Sequence, residues 1–166
     1  MKKIISILDR LNKWSGKAVG WLSTALVVLI CIDVAMRYLF DFTLIWIIEL
    51  EIYLFALLFL LSAGYALQKE KHVRVDVFYA SKSKRSQAWI NLVGTLVFLI
   101  PWCMIIIWVS YNYAYMSFLI SEKSAQPGGL PALYLLKFSI TLGFVLLLLQ
   151  GIGVILKSIQ TIKSEE

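Results

Sequence analysis

Only one histidine, His72, occurs in the sequence, and its two cysteines, Cys31 and Cys103, stand alone inside separate apolar stretches. That scarcity excludes a haem held by two histidines within the chain, and it leaves neither a histidine-rich metal site nor a cysteine pair at redox spacing. The cysteines read as small core or lipid-facing side chains. There is no Ser-His-Asp grouping and no glycine-rich phosphate loop, so the sequence offers no catalytic set and reads as a non-enzyme. Charge is thin as well: Asp, Glu, Lys and Arg make up 16% of the residues, with ten acids against sixteen bases. What is abundant is apolar side chain, 60% of the residues, where soluble domains carry roughly half. With a mean hydropathy of +0.81, the chain is expected to be an all-α integral membrane protein, a single membrane domain over residues 1–166. The net charge of +6 does not point to nucleic acid, because the bases are sorted by loop.

Four apolar stretches, at about 18–40, 43–67, 87–120 and 132–156, are long enough to span a hydrocarbon core of about 30 Å. Ahead of them, residues 1–17 interleave Lys2, Lys3, Arg10, Lys13 and Lys17 with Ile4, Ile5, Ile7, Leu8, Leu11 and Trp14. This spacing predicts an amphipathic lead-in on an anionic leaflet. Asp9, Arg10 and Lys13 interrupt the apolar run, so the segment reads as retained and not as a cleaved signal. Between the second and third spans a basic turn, 68–86, carries valines and aromatics that predict a surface-lying segment over roughly 75–85. The third stretch would be about 50 Å long as one helix, so it must tilt or project, and Pro101 predicts a bend near its middle. Residues 121–131 break the helix, with Pro131 placed to open the last one. All but three of the sixteen bases (Arg37, Lys123 and Lys137) then fall on one side. The positive-inside rule puts both termini and the 68–86 turn in the cytoplasm and the 121–131 loop outside.

The second span carries two acids, Glu49 and Glu51, near its start. Its fourteen Leu, Ile, Val and Phe residues contribute roughly −4 to −8 kcal/mol to insertion, against about +2.5 to +3.5 for each acid at a helix centre. The segment can span, but ionisable groups there require partners. Asp33 and Arg37, four apart on one helical face, either pair with each other or meet another polypeptide. The short Asp41-Phe42-Thr43 connection predicts that Arg37 and Glu49 lie at similar depth, guanidinium beside carboxylate. Glu51 points about 200° away from Glu49, so this helix is expected to touch more than one neighbour. Lys137 is expected to snorkel outward.

In chain order, Met36-Arg37-Tyr38-Leu39-Phe40, Trp46-Ile47-Ile48-Glu49-Leu50, Gly64, His72-Val73-Arg74-Val75-Asp76 and Gly129-Leu130-Pro131 form a pattern. It resembles the small membrane subunit of tripartite ATP-independent periplasmic (TRAP) transporters. Ile48 departs from the family's frequent second acid, and Glu51 has no counterpart in the pattern. The resemblance implies a multi-pass protein of the bacterial inner membrane that pairs with a large membrane subunit. A periplasmic binding protein delivers a carboxylate- or sulfonate-bearing solute, and a sodium gradient drives uptake. Substrate and sodium sites belong to the large subunit, and the small one resembles a scaffold for an elevator-type carrier. Arg37, Trp46, Glu49, Glu51 and Gly64 are then expected at packing or partner contacts. His72, Arg74, Asp76, Lys82, Lys84 and Arg85 are expected at the cytoplasmic turn and lipid headgroups. Glu122, Lys123 and Gln126 are expected to meet the binding protein. No cofactor is implied beyond a bound phospholipid. The competing reading is a small proton-coupled exporter, acting as a homodimer through Glu49.

Overall fold

The computed structural model describes residues 2–69, 79 and 81–164. His72, Arg74, Asp76 and most of the expected interfacial segment lie outside them. Four helices carry the described chain: α1 (Lys2–Phe40), α2 (Ile45–Gln68), α3 (Lys84–Leu119) and α4 (Leu133–Ser164). Each is long and apolar enough to cross a membrane, and there is no strand among the described residues.

The lead-in and the first span are one unbroken helix of 39 residues, about 58 Å at 1.5 Å per residue. Such a helix overshoots the hydrocarbon core by several turns. It ends where Asp41 turns left-handed (φ 51°) and Phe42 N–H reaches back to the Met36 carbonyl. This is a helix stop that Asp tolerates better than most residues. Arg37 sits in that last turn, where its charge opposes the helix dipole.

Ser83 caps α3, its hydroxyl accepting the Ser86 N–H at 3.3 Å. Just ahead of Pro101, where the sequence predicts a bend, α3 carries a π-helical turn, Thr95–Leu99, in which Ile100 N–H donates to the Thr95 carbonyl. A proline ring displaces the carbonyl four residues back and offers it no donor. Widening the turn just ahead of the ring relieves both problems without breaking the helix. α4 opens at Leu133, two residues beyond Pro131, because Ala132 takes φ 66° and cannot continue a helix.

α4 is the hub, packing against all three other helices, and α2 packs against α1 as well. Glycine sets the closest approach: a Cβ on Gly143 would lie 2.9 Å from the Leu60 carbonyl oxygen of α2. Small residues let membrane helices meet backbone to backbone in this way. The outer surface is apolar and aromatic, with Phe98, Trp102 and Trp108 of α3 exposed. Cys103 is buried and Cys31 exposed, both as free thiols. Tyr111 stacks on Tyr115 one turn away, while Tyr113 lies under the Lys137 ammonium.

Candidate functional site

Polar side chains gather at both ends of this apolar bundle. At the end opposite the termini, residues 121–131 fold over the start of α2. Gly129 N–H bonds the Gln126 carbonyl, with Gly128 left-handed at φ 77°, and Ser124 N–H bonds the Leu130 carbonyl. The loop so formed presents two donors to Glu49. The Ser124 hydroxyl donates to Oε1, and Leu130 N–H donates to Oε2 at 2.6 Å. A side chain at Gly129 would intrude here, its Cβ 2.5 Å from Ser124 Oγ and 2.7 Å from Glu49 Oε1. The Gly-Gly pair is thus the reason the loop can close on a carboxylate.

The expected Arg37–Glu49 pair does not form. Arg37 binds Asp33 at 2.5 Å, a partner already on its own helical face, whereas the carboxylate of Glu49 is taken by the loop. The Asp33 side chain is buried and that of Arg37 is 47% exposed. Glu51 lies within electrostatic reach of both, and its buried Oε1 has no hydrogen-bond partner among the described residues. Trp46 is 41% exposed, turned away from the bundle interior.

Lys137 does not snorkel. It is buried, 2.5 Å from Glu122 and 4.0 Å from the centre of the Tyr113 ring, a desolvated cation with an anion and an aromatic face. Glu122 also receives Leu133 N–H on its carbonyl, so it ties the end of α3 to the start of α4. Its carboxylate is therefore occupied within the chain, while Lys123 and Gln126 stay exposed. The Lys137 ammonium holds the Glu122 carboxyl below its ordinary value of 4.5. A lowered folded value means that the tie contributes fully above that ordinary value and is lost as pH falls through the lower one. Thermal unfolding followed from neutral pH to pH about 3 should show an acid loss that is smaller in Glu122→Gln. Equal acid loss in the two proteins would remove Glu122 as its source.

At the other end the contacts join residues that are far apart in the chain. Asn12 and Gln150 are almost completely buried and bond side chain to side chain, Asn12 Nδ2 donating to Gln150 Oε1 at 2.9 Å. Gln68 Nε2 donates to the Asp9 carbonyl at 2.8 Å, and Lys157 Nζ meets the Asp9 carboxylate at 2.8 Å. This network joins α1, α2 and α4 through residues that are distant in sequence. Gly64 lies at its centre: a Cβ there would overlap Asn12 Oδ1 and come within 3.1 Å of the Leu146 carbonyl oxygen. The available signal was a lone amide, Gln150, inside an otherwise apolar run beside Gly151 and Gly153. Lys82, Lys84 and Arg85 are exposed at this same end.

No group of three or more His, Cys, Asp or Glu side chains among the described residues is placed to hold a metal ion. Comparison with curated proteins returns no match. A family model does match: residues 26–161 fit that of tripartite ATP-independent periplasmic transporters, DctQ component. That family is a transporter component and not an enzyme. Its match takes in the second, membrane-spanning part of α1, all of α2 and α3, and all but the last turn of α4. The chain therefore belongs to the DctQ family, as the small membrane subunit of a TRAP transporter.

Proposed function

We propose that this chain is the scaffold of a sodium-coupled uptake system in the bacterial inner membrane. It forms a heterodimer with a large elevator-type membrane subunit. That partner takes up a carboxylate- or sulfonate-bearing solute delivered by a periplasmic binding protein. The observation that carries this reading is where the ionic groups go. Asp33–Arg37, Glu122–Lys137 and Asp9–Lys157 are all paired inside the chain, and Glu49 is closed by its own loop. The last two pairs and the Glu49 contacts tie separate segments together, whereas a transport path needs ionisable groups that face a water-filled cavity. The same ties count against a proton-coupled exporter built on Glu49. Both termini are assigned to the cytoplasm, an orientation supported by the sorting of the bases. Exposed Lys123 and Gln126 remain the loop residues offered to the binding protein, and Trp46 and Glu51 the membrane residues offered to the large subunit.

Co-expression tests the pairing. The tagged chain should bring down a much larger membrane protein in equal amount from its native host. Recovery of the chain only as a homodimer would reject the heterodimer and restore the exporter.

A further inference from the structure

At the end of the bundle that holds the termini, a cavity of about 330 Å³ opens between α2, α3 and α4. That is the lower end of the range for small-molecule sites, about 300–1,000 Å³. Lys84 and Lys157 line it together with Gln87, Asn91, Ser158 and Thr161. Leu67 and Asn91 also border a second space, a groove of about 250 Å³ that continues past Ile90, Gly94, Thr95 and Phe98. The two spaces adjoin at these residues. Along α3 the shared wall follows Lys84, Gln87, Asn91, Gly94 and Phe98, steps of three and four that make one helical face. That face is cationic and polar at its start and apolar about 20 Å further on at 1.5 Å per residue. Its polar end lies where α2 finishes at Gln68 and α3 begins at Lys84, the level of the membrane surface. Its apolar end lies inside the span. Beside Gly94 there is open space, since a Cβ there meets nothing within 4 Å. Among the described residues α2 and α3 share no extensive packed interface of their own, and Leu67 of α2 borders both spaces.

We propose that this composite is a binding site for one anionic glycerophospholipid, with the phosphate between Lys84 and Lys157 and one acyl chain along Asn91, Gly94 and Phe98. Asp9 takes one of the Lys157 hydrogen bonds and offsets part of its charge, so Lys84 supplies most of the attraction for the phosphate. A water-filled cavity or a free-anion site would account for the polar end alone. Only a ligand with an apolar tail uses both halves. The site does not depend on the scaffold reading, because it is built from this chain's residues alone.

The test uses the full chain in phosphatidylcholine nanodiscs doped with phosphatidylglycerol, with retained lipid read by native mass spectrometry. One phosphatidylglycerol should stay bound to each chain in preference to phosphatidylcholine. Lys84→Gln should weaken its retention about fivefold, matching about 1 kcal/mol for a lysine near anionic lipid. Lys157 is left intact because its loss would also break the Asp9 pair. Gly94→Phe, at a position with room for a side chain, should expel the lipid while leaving both lysines in place. Free glycerol 3-phosphate should not compete. The proposal fails if phosphatidylcholine is retained equally, or if both variants hold phosphatidylglycerol as the parent does. Displacement by glycerol 3-phosphate would also end it, making the cavity a free-anion site.

Discussion

Gly64→Ala should lower the thermal midpoint of the full chain in detergent by roughly 2–12 °C. The added methyl overlaps Asn12 Oδ1, and Asn12 can move only by giving up its bond to Gln150. Both amides are buried, so breaking the bond strands polar groups where no water reaches them, at about 1–3 kcal/mol. For a chain of this size each kcal/mol moves the midpoint by about 2–4 °C. The decisive comparison is a double-mutant cycle. Asn12→Ala destabilises by itself, because Gln150 Oε1 loses its donor. It also removes the obstacle, so adding Gly64→Ala to it should cost little more. Full additivity of the two losses would mean that Gly64 is needed for some reason other than the Asn12 contact.

Glu49→Ala should release the 121–131 loop. The carboxylate accepts from the Ser124 hydroxyl and from Leu130 N–H, and hydrogen bonds to a charged group contribute about 1.5–3 kcal/mol. Hydrogen exchange at the Leu130 amide should accelerate by about 10- to 100-fold, while amides in the middle of α4 keep their protection. Glu49→Gln retains a neutral acceptor and should fall between. Where the large subunit is present, the same loosening should reduce uptake under the proposed orientation, which puts the loop on the side of solute delivery. An unchanged Leu130 exchange rate in Glu49→Ala would show that the loop holds its shape without the carboxylate.

The sequence carried the number and order of the spans, because apolar runs of membrane length separated by charged or Pro-Gly stretches leave few alternatives. A disturbance of the helix near Pro101 was legible for a local reason, a missing donor, although the π-helical turn that is found there was not. Partner choice was the hidden part. Asn12 and Gln150 are 138 residues apart, and Glu49 finds its donors 75 and 81 residues later. Pattern reading along the chain sees none of this. The amphipathic stripe of residues 1–17 fits a leaflet surface or a polar seam between helices equally well, since both bury one face and hydrate the other. Asp33 won Arg37 because a partner one turn away needs no tertiary alignment. Lys137 stayed inside because Glu122 and Tyr113 replace the water it would otherwise seek.

What separates a scaffold from a carrier is whether the chain moves anything by itself. Reconstituted alone in liposomes under an inward sodium gradient or a proton gradient, it should pass neither organic anions nor cations above the level of empty vesicles. Adding the large subunit and the loaded binding protein should switch on sodium-dependent uptake. Solute or proton flux through the isolated chain would contradict the account.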